Sequence, residues 1–203
     1  MRWLRGVETA LCVIGFSLLG GATASVVGSR FYQARQERAF SDLERRADAP
    51  ARTPAAPSKR DPLELAVAPA DADPLVLGRI EIPRIGVSAI VREGDDDATL
   101  AVAVGHVPGT ARPGEPGNMA LAGHRDSFFR ALRNIRVDDT IRFRSAGARY
   151  EYRVDSTEVV GPNETRVLLP TADPVLTLVT CYPFGYIGSA PDRFVVRASR
   201  RAP

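Results

Sequence analysis

The sequence predicts an all-β domain, a closed barrel or sandwich, carried behind an uncharged N-terminal stretch. Three observations predict it. Gly78-Arg79-Ile80-Glu81-Ile82 alternates apolar and polar residues, the two-residue period of a strand with one buried face. Several more short β-prone runs follow, with Gly, Pro or Asp between them, as in barrels and sandwiches. Gly- and Pro-rich segments such as Gly105 to Gly117 read as loops between such runs.

Taken in order, the strand at 78–82 ends at Pro83, which cannot donate to a ladder, and Val87 to Val91 forms a second strand. Asp97 to Val104 reads as a short helix capped by one of the carboxylates of Asp95-Asp96-Asp97. Gly105 to Gly117 is rich in Gly and Pro and reads as a surface loop. Asn118 to Ala122 is a strand, and Asp126 to Arg136 reads as a single helix with Phe128, Phe129 and Leu132 on its apolar side. Thr140 to Phe143, Tyr150 to Val160, Leu176 to Thr180 and Phe194 to Ala198 complete the strands, with a helical turn at Glu164 to Leu169 before Pro170.

The 203 residues divide into three parts: an N-terminal membrane anchor (1–29), a juxtamembrane helix with an Ala/Pro-rich linker (30–74), and the folded domain (75–203). Thr9 to Ser29 contains no Asp, Glu, Lys or Arg, and its 21 residues would span about 31 Å as a helix, the thickness of a bilayer core. It reads as a single-pass signal anchor with the domain outside the cytoplasm. Ala22-Thr23-Ala24 also resembles a cleavage site, so a cleaved leader is the competing reading. Five arginines (30, 35, 38, 45 and 46) follow the stretch and two precede it, a local count against that orientation. Ala47 to Pro74 holds six prolines and nine alanines in 28 residues; it reads as a semi-rigid spacer reaching on the order of 85 Å and holding the domain off the membrane.

The net charge is +3, almost all of the basic residues are arginine, and they are dispersed without interleaved aromatics, which argues against nucleic-acid binding. There are two cysteines, Cys12 in the apolar stretch and Cys181 in the domain, so no disulfide framework is implied. No Cys- or His-rich cluster suggests zinc, and no cofactor or metal is expected.

Cys181 closes a β-prone run, His124 ends another strand, and Arg193 opens the strand that follows Cys181. A thiol needs a base and an anion stabiliser to become a catalyst, and these are the three parts. Each alone has a duller reading: a core thiol, a surface imidazole, a solvated guanidinium.

Leu121-Ala122-Gly123-His124-Arg125-Asp126-Ser127-Phe128-Phe129-Arg130, Thr177-Leu178-Val179-Thr180-Cys181-Tyr182-Pro183-Phe184 and Ala190-Pro191-Asp192-Arg193-Phe194-Val195-Val196 together resemble the sortases, in wording closest to the class D branch. The resemblance runs from about Leu75 to Ala202. It implies an eight-stranded closed β-barrel and a cysteine transpeptidase, which cuts a Leu-Pro-x-Thr-Gly-like sorting signal after Thr and joins the acyl group to an amine of the cell envelope. It puts His124, Cys181 and Arg193 in the catalytic positions and Ala122, Val179 and Thr180 along the substrate groove. Implied partners are surface proteins or pilins that bear sorting signals, and an amine of a peptidoglycan precursor or of a pilin. No segment resembles the lid of many pilin-linking members, which favours attachment of single proteins. The loop before the histidine strand offers one acid, Glu115, so calcium is not expected. His106 falls in a family-like loop and is read as loop structure over a proton relay. The alternatives of other classes are a cysteine hydrolase that releases surface proteins and a non-catalytic peptide-binding scaffold.

Overall fold

The computed structural model describes residues 27–45 and 73–201. Among them no helix is long and apolar enough to cross a membrane, and the anchor at 1–29 and the linker at 47–74 lie almost wholly outside the described residues.

The domain is a closed barrel of eight strands: β1 (Val76–Ile82), β2 (Val87–Glu93), β3 (Val104–His106), β4 (Asn118–Ala122), β5 (Thr140–Ser145), β6 (Ala148–Val160), β7 (Val175–Tyr182) and β8 (Asp192–Arg200). Their order round the barrel is β1-β2-β3-β4-β7-β8-β6-β5. Pairing is antiparallel except between β2 and β3 and between β4 and β7. Closure leaves no free edge.

Alternation decides what fills the barrel. Ile80 and Ile82 of β1, Leu121 of β4, Ile141 and Phe143 of β5, Val154 of β6, Leu176 and Leu178 of β7 and Val196 of β8 are fully buried and form one core. Burying each such side chain contributes about 1.5–3 kcal/mol.

Seven strands fall where the alternation predicts; the eighth, β3, starts at the last residue of the expected helix, Val104, and runs into the segment expected to be loop. Its residues Val104-Gly105-His106 are too few and too mixed to show a period. The predicted helix at 97–104 is α2 (Asp97–Val102), capped by Asp96, whose carboxylate accepts from the Thr99 amide at 3.0 Å. The helix expected over 126–136 is instead a run of turns ending in a 3-10 segment, Arg130–Asn134. Phe129 and Leu132 are fully buried against the barrel, three residues apart, the repeat of a 3-10 turn.

His106 is 1% exposed and structural. Its ring nitrogens meet Glu93 Oε1 at 3.1 Å and the Ala111 carbonyl at 2.9 Å, pinning the loop after β3 to the end of β2. Arg112 adds a 3.0 Å contact to the other Glu93 oxygen.

Residues 27–45 form a helix, α1, which packs back on the barrel. Its inner face carries buried Gln36, Ala39 and Phe40. Gln33 accepts from the Ile90 amide at 2.9 Å and donates to the Val102 carbonyl at 2.7 Å, so one side-chain amide satisfies two backbone groups left over by β2 and α2. Tyr32 donates to Asp73 at 2.8 Å, Gln36 accepts from the Asp73 amide at 3.1 Å, and Glu37 pairs with Arg79. α1, which leads into the 47–74 segment, and Asp73, which leaves it, thus sit on the same face of the barrel.

The segment after β4 is held from below. Arg84 donates to Asp139 Oδ2 at 2.6 Å and to the Asn134 carbonyl at 2.6 Å, and Asp139 accepts from the Arg136 amide at 2.8 Å. The hydrogen bond from Arg84, then that from the Arg136 amide, hold the Asp139 carboxyl below the usual carboxylate range. A depressed carboxyl contributes stability above its unfolded value of about 3.9 that is lost as pH falls through the folded value. Asp139→Asn should therefore melt lower at neutral pH and lose less on acidification than the parent. Thermal melts from neutral pH to about pH 3 check this; an unchanged acid slope in the variant would refute it.

Candidate active site

Strand register builds the site. β7 lies between β4 and β8, and along β8 Cys181 is the direct partner of Arg193, Val179 of Val195. Residues two apart share a face, so Val179 and Cys181 look out from the barrel while Leu176 and Leu178 look in. Cys181 and Arg193 lie within their strands, one residue inside the ends, where the sequence had put them just beyond.

His124 comes from the other side. Val179 pairs with Ala122 along the parallel β4–β7 ladder, and the Gly123 amide donates to the Val179 carbonyl at 3.2 Å. Thr180, 3% exposed, donates its hydroxyl to the Gly123 carbonyl at 2.6 Å. Both polar backbone groups of Gly123 are thus taken by residues just before Cys181, and the next residue is His124. Gly123 must be glycine for a steric reason: a Cβ there would meet the Phe129 ring at 2.7 Å. The His124 carbonyl accepts from the Phe129 amide at 3.1 Å, which turns the chain over that ring.

Cys181, His124 and Arg193 line one groove of about 450 Å³, together with Ala122, Val179 and Thr180. The site residues expected from the sequence are therefore brought together, though Thr180 spends its hydroxyl on Gly123, which makes it a brace between the two strands. Cys181 is partly exposed, and no other free cysteine lies among the described residues. One nitrogen of the Arg193 guanidinium donates to the carbonyls of Asp192 at 3.0 Å and Ala190 at 3.3 Å. Neutral carbonyls hold the group in place without a carboxylate to cancel its charge, and its other donors have no partner among the described residues.

The groove has an apolar flank that the sequence did not reveal. Val160, Val167 and Val195 form a small second core with Leu168 and Val179 packed on it. Val167 and Leu168 sit on a 3-10 turn, Thr165–Leu168, whose carbonyl at Val167 accepts from buried Asn118 at 2.9 Å. Thr177 donates to the same Asn118 at 2.7 Å, which ties the turn to β4 and β7. Arg125 was also missed as a brace: it donates to the carbonyls of Tyr186 at 2.9 Å and Gly188 at 2.8 Å and holds the β7–β8 loop beside His124. Its one sequence signal is its place next to the histidine.

The family model of the sortase domain matches residues 80–201. The chain belongs to the sortase family. Its members are cysteine transpeptidases. The chain is 34% identical over 124 residues to Sortase D of Bacillus subtilis, a match covering 61% of this chain and 63% of that relative, so it spans less than two thirds of the relative's length. Among solved structures, a Clostridium perfringens sortase D5 transpeptidase shares the fold at a TM-score of 0.61 and 24% identity, covering 84% of this chain and all (100%) of that one. A Clostridium perfringens sortase C, solved with the C-terminal cell wall sorting motif, matches at 30% identity and a TM-score of 0.58 over 63% of this chain and 71% of that one.

Removing the Thr180 hydroxyl leaves the Gly123 carbonyl unpaired in a buried place. Thr180→Val is expected to destabilise the domain by about 1–3 kcal/mol in urea unfolding. A variant as stable as the parent would show that the brace contributes nothing.

Proposed function

We propose that the chain is a membrane-anchored sortase that cleaves a Leu-Pro-x-Thr-Gly-like sorting signal after Thr and joins the acyl group to an amine of the cell envelope. The catalytic domain stands outside the cytoplasm, and the uncharged stretch Thr9 to Ser29 is the anchor. The supporting observation is the register that pairs Cys181 with Arg193 on the groove that His124 also lines.

The chemistry follows from the three groups. The Cys181 thiolate attacks the carbonyl carbon of the Thr–Gly bond, and the guanidinium of Arg193 stabilises the oxyanion. As the carbon–nitrogen bond breaks, protonated His124 gives its proton to the departing amine, leaving a thioester on Sγ. The incoming amine then attacks the thioester carbon. Neutral His124 takes the surplus proton, and sulfur leaves as thiolate with the electron pair. Apolar Val167, Leu168 and Val179 suit the Leu-Pro part of the signal. The partners in this reading are sorting-signal-bearing surface proteins and an amine of a peptidoglycan precursor, with pilins as the other source of either.

Cys181→Ala should keep the fold and form no thioester with a sorting-signal peptide, read by mass spectrometry. Arg193→Gln should lower kcat/KM by about 10²–10³-fold. Full transpeptidation by the Cys181 variant sinks the enzyme reading in favour of a binding scaffold, and product that stays free of added amine marks a hydrolase.

A further inference from the structure

Two cavities share one wall. The groove with Cys181 lies on one side of His124. On the other side opens a larger cleft, about 1000 Å³, lined by Ser29 and Arg30 of α1 and by Asp126, Arg130 and Arg133. His124 is the one residue common to both linings. Their characters differ: the first has an apolar flank, whereas the second gathers three guanidinium groups against the single carboxylate of Asp126.

These arginines are unlike most others in the domain. Arg79, Arg84, Arg92, Arg112, Arg144 and Arg166 all pair with carboxylates. The side chains of Arg30 and Arg130 make no hydrogen bond or ion pair with any described residue. Arg133 donates only to the Arg130 carbonyl, at 3.0 Å, and lies 5.9 Å over the Phe184 ring. Three guanidinium charges against one carboxylate leave this concave surface net positive, a local field that concentrates anions. Guanidinium groups in particular match carboxylates in shape and donor geometry.

We infer that this second cleft is the acceptor site, and that it selects an amine borne on an acidic peptide. The inference rests on the transpeptidase reading and names the class of its second substrate. The acyl donor fills the groove around sulfur, so the amine needs another approach to the base. The far side of His124 supplies it. There the neutral amine can donate a hydrogen bond to the Asp126 carboxylate as it arrives, and then meets the imidazole. The carboxylates of the acceptor reach toward Arg30, Arg130 and Arg133. In the transfer the acceptor nitrogen bonds to the thioester carbon, the carbon–sulfur bond breaks, the thiolate keeps the electron pair, and the amine's surplus proton passes to His124. Because Ser29 and Arg30 belong to α1, the docked helix completes the site; the barrel alone would leave one wall open.

The test uses the full chain in detergent, acylated by a sorting-signal peptide and offered two acceptors, Gly-Asp-Glu and Gly-Gly-Gly-amide. These share an N-terminal glycine amine and differ in carboxylates. The acidic acceptor should have the lower KM. The preference should shrink as salt rises from about 0.1 M to about 1 M, where the screening length falls from about 10 Å to about 3 Å. Arg30→Gln, Arg130→Gln and Arg133→Gln should each cut the preference by about two- to five-fold, the range for exposed charge pairs. Equal KM values for the two acceptors at low salt would overturn the inference, as would a preference indifferent to salt or to all three substitutions. Absence of acylated Cys181 would instead overturn the transpeptidase reading beneath it, so the two failures are told apart by mass spectrometry before any acceptor is added.

Discussion

The site depends on the register of β7. That strand is held on one side by a parallel ladder to β4 and on the other by an antiparallel ladder to β8. A slip of one residue would turn Cys181 into the barrel and bring Leu178 out. Fully buried Leu176 and Leu178 forbid the slip, because exposing them would cost several kcal/mol in all. The core thus fixes where sulfur points, and the pairing with β8 then fixes which side chain faces it. Gly123 adds the third group, since its amide and carbonyl are both bonded to the residues just before the cysteine.

Around this frame the polar groups have divided tasks. Glu93 and His106 secure the loop after β3, Asp139 and Arg84 secure the turns after His124, and Asn118 secures the turn that flanks the groove. Arg193 is held by carbonyls, and the arginines of the neighbouring cleft have no carboxylate partner among the described residues. Arg79, Arg84, Arg92 and Arg144, by contrast, all pair with carboxylates. Helix α1 joins the two regions: its buried face is structural, and its first residues border the cleft beside His124.

Much of the fold was legible because alternation is a local signal. Ile80 and Ile82, or Phe143, declare a buried face within a few residues. The misses have equally local causes. Val104 to His106 is too short to show a period, and its strand character comes only from β2 and β4 on either side. The apolar residues at 128–132 suggested an α-helix, but Phe129 packs close on Gly123 and the segment runs as turns and a 3-10 stretch. The docking of α1 left no trace beyond polar residues such as Gln33, whose partners are 57 and 69 residues away.

The sequence by itself determined that an all-β domain follows an uncharged N-terminal stretch, and that its single domain cysteine, a histidine and an arginine each sit beside a β-prone run. Those properties need only neighbouring residues and the two-residue period of a strand. The tertiary structure alone decided that α1 folds back on the barrel, that Thr180 braces Gly123 and that His124 lines two cavities, one flanked by valines and the other by three arginines. These relations join residues far apart along the chain, and only barrel closure and strand register bring them into contact.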